Sequence, residues 1–300
     1  MNTREIIKIK AFLGKNNVAD AARIQPNKGK SFLSECLNVD IDDEFMPHRR
    51  DGYGVSVQSG SGFHSLWSNG EICLVVYGVN LMKVKTDYSL STIKANAGSG
   101  SVSYADVPPK IFLTNENIIG YVENSVFSDF LLPSDMTYKI LMPPGQLVEW
   151  YHGRLIVARG NDLWWSDAMA PMIRDERRNF KSFPSKISMM GSVADGIWLA
   201  DQQNTYFLSG ADIKDSVLMQ KSNKPAIFGT SLKCDSQDIN DLESSGQIVV
   251  WLSENGVCVG GAQGYFKELT RNTYNLTGKT EGSAIMRKTG NFNQVLASMW

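Results

Sequence analysis

The chain is predicted to be all-β, a β-propeller of about six blades closed by an N-terminal strand, with five to seven blades inside the spread of its spacing. Three observations predict it. No stretch of twelve or more residues carries clean i, i+3, i+4, i+7 apolar spacing. The 26 glycines and many turn dipeptides separate short runs of Val, Ile, Leu, Tyr and Trp. One unit recurs: polar turn, apolar strand of four or five residues, second turn, aromatic-rich strand.

Residues 1–62 read as an N-terminal arm and 63–300 as the propeller. In the arm, 37–41 (LNVDI) and 53–58 are the strands available to close a ring. The first copy of the unit follows the Asn69-Gly70 turn: an apolar strand to Tyr77, a Gly-Val-Asn turn, then LMKV. Asn115 to Asp129 is a looser second copy. His152 to Asp167 (HGRLIVARGNDLWWSD) is the clearest, and 195–210 and 254–269 repeat its layout. Thr289 to Met299 starts a sixth. The leading turns fall near residues 70, 117, 153, 196, 256 and 291, and the long 196–256 interval suggests an insertion at 235–246. Extra strand-like runs precede several copies, such as 146–151 (QLVEWY) and 247–252 (QIVVWL). Asp167 to Asn179 is the best candidate for a short helical turn, broken by Pro171.

A hairpin unit cannot bury its own apolar face. Stacking units does so, and closing the ring removes open edges. Trp67, Trp150, Trp164, Trp165, Trp198 and Trp251 sit inside or beside the units, where packing between neighbouring sheets is their expected role.

With 30 basic and 31 acidic side chains the net charge is −1, so no wide face should grip nucleic acid strongly. The N-terminus lacks an apolar core for a secretory signal, and no apolar run is long enough for a membrane span. The four cysteines, Cys36, Cys73, Cys234 and Cys258, form no CxxC pair and read as reduced thiols of a protein made in a cytoplasm.

The chemistry-bearing motifs are sparse, and no catalytic, cofactor-binding or metal-ligating residue is assigned. His48, His64 and His152 have no metal-ligand spacing. Ser59-Gly60-Ser61-Gly62 and Gly98-Ser99-Gly100-Ser101 match neither a nucleophile elbow nor a phosphate loop. The run from Asp40 to Glu44 lacks the glycine bend of a calcium loop. Two basic runs stand out, His48-Arg49-Arg50 and Arg174-Asp175-Glu176-Arg177-Arg178, and both read as solvated or interface loops that could meet phosphate.

Residues 36–53 (CLNVDIDDEFMPHRRDGY), the early Asn16-Asn17-Val18 loop and the unit GRLIVARGNDLWWSD resemble the tail hub or nozzle propellers of short-tailed phages. The resemblance implies a non-enzymatic virion subunit without a cofactor, made in the host cytoplasm. It implies a homo-oligomeric ring around the DNA exit channel that docks other tail or neck proteins and touches passing DNA weakly. The chain is shorter than many such proteins, which carry an added β-rich platform. A lectin-like propeller is the second reading, and a propeller glycosidase or lyase the third.

Overall fold

The computed structural model describes residues 9–20, 24, 27–37, 39–41, 44–50, 61–132, 137–239, 242–289 and 292–300. Among them there is no α-helix. Three single 3-10 turns, Ile213–Asp215, Ser236–Asp238 and Ala262–Gly264, are the only helical pieces.

Near the N-terminus, β1 (Ala11–Lys15) pairs in parallel with β2 (Lys30–Leu33), and β3 (Val39–Ile41) pairs antiparallel with β4 (Pro47–Arg49). Four antiparallel four-stranded sheets follow in chain order. The first is β5 (Phe63–Ser68), β6 (Cys73–Tyr77), β7 (Asn80–Val84) and β8 (Leu90–Lys94). The second is β9 (Ser103–Val107), β10 (Lys110–Thr114), β11 (Ile119–Glu123) and β12 (Val126–Asp129). The third is β14 (Leu147–Tyr151), β15 (Arg154–Arg159), β16 (Asp162–Trp165) and β18 (Phe180–Ser182), with β13 (Lys139–Leu141) and β17 (Ile173–Asp175) set aside as a separate ribbon. The fourth is β19 (Met189–Val193), β20 (Gly196–Ala200), β21 (Thr205–Ser209) and β22 (Val217–Ser222). A fifth comprises β23 (Leu232–Asp235), β24 (Gln247–Ser253), β25 (Gly256–Gly260) and β26 (Phe266–Glu268). The hairpin β27 (Gly282–Thr289) and β28 (Phe292–Met299) ends the chain.

The uneven repeat spacing has a structural reason. Turns 70, 153 and 196 lead into the second strand of a sheet, whereas turns 117 and 256 lead into the third. The first strands begin at residues 63, 103, 147, 189 and 232, which are 40, 44, 42 and 43 residues apart. The expected insertion at 235–246 falls between β23 and β24, so the long interval combines this connection with the change of strand.

The chain divides into two compact units, Gly54–Pro225 and Met1–Tyr53 with Ala226–Trp300. In the first unit, period-two alternation sorts side chains into the spaces between successive sheets. Ile111 and Leu113 pack against Leu74, Val76 and Leu81 of the first sheet. Phe112, between them in sequence, faces the other way, onto Leu155 and Val157 of the third sheet. Ile156 and Ala158 then face Ile197, Leu199 and Leu208 of the fourth. A sheet covered on both faces needs apolar residues at consecutive positions, which is why KIFLT and RLIVA read as unbroken apolar runs. Each fully buried Leu or Ile contributes about 1.5–3 kcal/mol of transfer free energy.

The first strands of neighbouring sheets also touch: β9 lies against β14, and β14 against β19. Side chains tie them. Ser65, in the left-handed region at a bulge in β5, accepts from the Val102 N–H at 2.8 Å. Ser103 on β9 accepts from the Val148 N–H at 3.0 Å, and Glu149 on β14 from the Ser192 N–H at 3.3 Å.

In the second unit, Ile248, Val250 and Val259 form a core with Leu232 and Val295. The N-terminal arm is fastened within this unit. The Asn17 amide donates to the Asn275 carbonyl at 3.0 Å and accepts from its N–H at 2.8 Å. Asp40 on β3 pairs with Arg50 at 2.8 Å and Arg287 of β27 at 3.4 Å.

One expectation changes. Asp167–Asn179 forms no helix: Asp167 bridges to Ala170, and Ile173–Asp175 is drawn into the ribbon with β13. The segment 37–41 contributes β3, which pairs with β4; among the described residues it extends no four-stranded sheet. The other expected closing strand, 53–58, lies outside the described residues, as do Ser59 and Gly60.

Candidate functional site

The outer half of the third sheet gathers the unusual side chains. Trp164 and Trp165 are consecutive on β16, so they point to opposite faces. Trp165 is 3% exposed within the core shared with the fourth sheet, and its Nε1 has no hydrogen-bond partner. Trp164 packs on the other face, with the Phe180 ring centroid 5.2 Å away and the Arg174 guanidinium carbon 3.9 Å from its ring centroid.

Arg174 is 7% exposed, and its Nε and Nη1 lack hydrogen-bond partners. Burial lowers its pKa, Glu176 opposes that shift and Arg159 adds to it. The indole face supplies part of the attraction that water would otherwise give the guanidinium. Around it, Lys139 pairs with Asp167 at 2.5 Å, and the Asn179 amide donates to Asp167 at 3.0 Å. Arg177 lies over the Tyr138 ring at 4.1 Å and bonds Asp175 at 3.4 Å. The basic run 174–178 therefore separates into a buried arginine, a ring-stacked arginine and the exposed Arg178, a division invisible in the string itself.

Two open concavities flank this edge. One, of about 530 Å³, is bordered by Glu116, Gln146, Arg159, Asp162 and Trp164. The second, of about 360 Å³, is bordered by Trp165, Arg178, Phe180, Lys181, Ile213 and Lys214. The first mixes charges of both signs; the second carries cations and apolar rings.

The remaining residues singled out in the sequence are dispersed. His64 lies within hydrogen-bond distance of the Ser65 hydroxyl (2.9 Å), and His152 of the Ala194 carbonyl (3.1 Å). His48 and Arg49 are on β4, and Arg50 is committed to Asp40. No group of three or more His, Cys, Asp or Glu among the described residues could hold a metal ion. All four cysteines are free; burial pushes the Cys258 thiol up to about 12 and the Cys234 thiol up to about 11. Trp198 and Trp251 are fully buried, and Trp67 and Trp150 stack on Tyr104 and Phe112. Packing is thus the role of most tryptophans. No helix among the described residues is long and apolar enough to cross a membrane.

One feature that sequence reading missed is the outer edge of the fourth sheet. On β22, Val217 is 61% and Leu218 36% exposed, at an edge that has no strand partner among the described residues. An alternating pattern would have signalled a solvent face and a core face. Val217-Leu218-Met219 shows no such alternation, which was the available clue.

No known protein family matches the chain, and no curated protein does. Solved structures do. Two structures of the extracellular domain of BT4673 from B. thetaiotaomicron, described as a putative one-component and a putative hybrid two-component system, superpose with TM-scores of 0.51 and 0.52 at 10% and 11% identity. Each covers 82% of this chain but only 32% of the other, so the chain spans about a third of their length. A virginiamycin B lyase from Staphylococcus aureus matches at a TM-score of 0.49 and 11% identity, over 87% of this chain and 90% of its own. At such identities the likeness speaks of fold alone. The chain has a propeller-like all-β fold built from repeated four-stranded antiparallel sheets.

Proposed function

We propose that the chain is a structural subunit of a phage tail or neck, a non-catalytic propeller that joins a ring of like copies around the DNA exit channel and docks other tail proteins. In this reading the propeller has six blades. The hairpin β27–β28 and the N-terminal arm make up the sixth, and the Asp40–Arg287 ion pair supports their joining into one blade.

The observation that carries the assembly role is β22. Soluble monomers blunt their edge strands with charge, proline or bulges, because an open apolar edge recruits other chains. Here β22 has a bulge and a charge at Lys221 in its second half, but its first half leaves Val217 and Leu218 exposed at an edge with no strand partner among the described residues, which suits strand-edge docking to a neighbouring subunit. The near-zero net charge suits a channel wall that lets DNA pass. Residues 13–20 and 153–167, which with residues 36–53 carry the phage-nozzle resemblance, hold the arm anchor at Asn17 and the centre of the third sheet.

The test is mass in solution by light scattering, alone and after mixing with disrupted virions. A ring-sized oligomer or recruitment into tail particles supports the reading. A protein that stays monomeric at every concentration and joins no tail particle overturns it.

A further inference from the structure

Each four-stranded sheet ends in a strand whose far edge has no strand partner among the described residues: β8, β12, β18, β22 and β26. Three of these expose a large hydrophobic side chain: β12 at Val126 (63%), β18 at Phe180, and β22 at Val217 and Leu218. Lys181 on β18 and Lys221 on β22 give those two strands the same sign of charge. Of the three, β12 alone joins an exposed hydrophobic to an acid, Asp129. The chain just beyond it also exposes Leu131 and Leu132, so this edge carries a contiguous apolar stretch of the kind that marks a contact surface.

Laid side by side in parallel, β12 and β22 match residue for residue. Val126 comes opposite Leu218, Phe127 opposite Met219, Ser128 opposite Gln220 and Asp129 opposite Lys221. Period-two alternation puts the Val–Leu and Ser–Gln pairs on one face and the Phe–Met pair on the other. A slip of one residue breaks the match, setting Asp129 opposite Ser222. The bulge of β22 falls at Lys221, so strand pairing runs over 218–220 and the lysine is released from the ladder with β21. Lys221 has no ion-pair partner among the described residues. Asp129 gives its Oδ2 to Lys94 and keeps Oδ1 for a second cation. The two-fold alternative, β22 against a second β22, sets VLMQKS against itself; that strand holds no carboxylate, and both lysines would stay unpaired.

We infer that β22 of one copy adds in parallel to β12 of a second copy, with Lys221 paired to Asp129 across the contact. The inference rests on the assembly reading above and names the strand that β22 meets. Main-chain bonds supply the affinity, and the side-chain match supplies the register. The two strands belong to different sheets, so the contact is heterologous: every copy offers both, and successive contacts close into a ring where the rotation allows.

Disulfide trapping and charge reversal in the full chain test it. V126C and L218C chains, mixed dilute and then concentrated under mild oxidation, should give a mixed dimer whose 126–218 link is located by peptide mass. Neither variant alone should give a new link beyond those of the native chain with its four cysteines. In sedimentation, D129K and K221D should each weaken self-association roughly tenfold or more, through like charges set opposite each other. The double variant D129K/K221D should restore most of the loss. Trapping changes no charge, so it decides the matter even where a reversal variant fails to fold. A 218–218 link in L218C alone, or assembly that ignores both reversals and yields no 126–218 link, overturns this pairing and leaves the assembly reading standing. A chain that stays monomeric at every concentration overturns both.

Discussion

The Ser103 hydroxyl serves both backbone groups of Val148: it accepts from the N–H at 3.0 Å and donates to the carbonyl at 3.5 Å. One side chain thus takes the place of a missing strand partner between two sheets that share no backbone ladder. Ser103→Ala leaves the N–H of a residue 5% exposed without a partner. The expected cost is about 1–3 kcal/mol. Ser209→Ala, whose hydroxyl only contacts the Val217 carbonyl at 3.4 Å near the surface, should cost less than about 0.5 kcal/mol. Urea unfolding of the two variants, followed by tryptophan fluorescence, checks the difference.

Much of the sheet content was legible because apolar runs and turn residues report local geometry. The strand LIVA, the Gly160-Asn161 turn and LWWS fall where β15 and β16 lie. Blade phase was less legible. A turn before an apolar strand looks alike whether it opens the second or the third strand, so the copies at 117 and 256 match those at 153 and 196 in sequence while differing from them in blade position. The ties from Ser65, Ser103 and Glu149 could not be read at all. Each depends on which residue of the next sheet comes opposite, a tertiary relation that no local pattern encodes. The concavity holding Arg178, Lys181 and Lys214 is of the same kind, since Lys214 is far from the other two in sequence.

Gly196 opens β20 opposite Ser209 of β21, with the Phe207 ring reaching diagonally across to it. A Cβ there would lie 2.6 Å from Phe207 Cε2 and 2.7 Å from the Leu208 carbonyl oxygen. Gly196→Ala should therefore destabilise by about 1–3 kcal/mol through overpacking. Phe207→Leu removes the ring, so the double variant should lose less than the sum of the singles. A double-mutant cycle measured by chemical unfolding reads this coupling, and strict additivity would show that the ring is not what the Cβ meets.

Cys258 is 1% exposed, its Sγ 3.2 Å from the Ser253 hydroxyl. Burial is the largest cause raising its pKa to about 12; Glu268 adds to this, and the Ser253 hydrogen bond works against it. Thiolate is the reactive form, so at pH 8 this thiol should be the last of the four to react with a disulfide reagent in the native chain. Mass mapping of the modified cysteines checks the order. In denaturant all four should react at similar rates.

Lys288 donates to Asp238 at 2.7 Å, and this bond is the main reason the Asp238 carboxyl titrates below its ordinary value of 3.8. A lowered folded-state pKa means stability that is present above the ordinary carboxylate range and lost as pH falls through the folded value. Asp238→Asn should thus be less stable than the native chain at pH 7, and the gap should close toward pH 3. Lys288 is 57% exposed, so added salt should shrink the gap as well. Urea midpoints at the two pH values, each at low and high salt, read both effects; a gap that widens on acidification would assign the loss to something other than this ion pair.

The β22 edge gives the assembly reading its sharpest test. Val217 and Leu218 are exposed and adjacent on the outermost strand of the fourth sheet, so charge there burdens the interface and not the core. The double variant V217D/L218D should fold with an unchanged circular dichroism spectrum and a stability within about 0.5 kcal/mol of native. Its self-association should weaken by at least tenfold, because two unpaired carboxylates would be buried wherever another strand edge docks. Sedimentation over a hundredfold range of concentration measures this. If the variant assembles as the native chain does, the interface lies elsewhere, and Ile285 (57% exposed) and Trp300 (63% exposed) near the terminal hairpin become the next positions to charge.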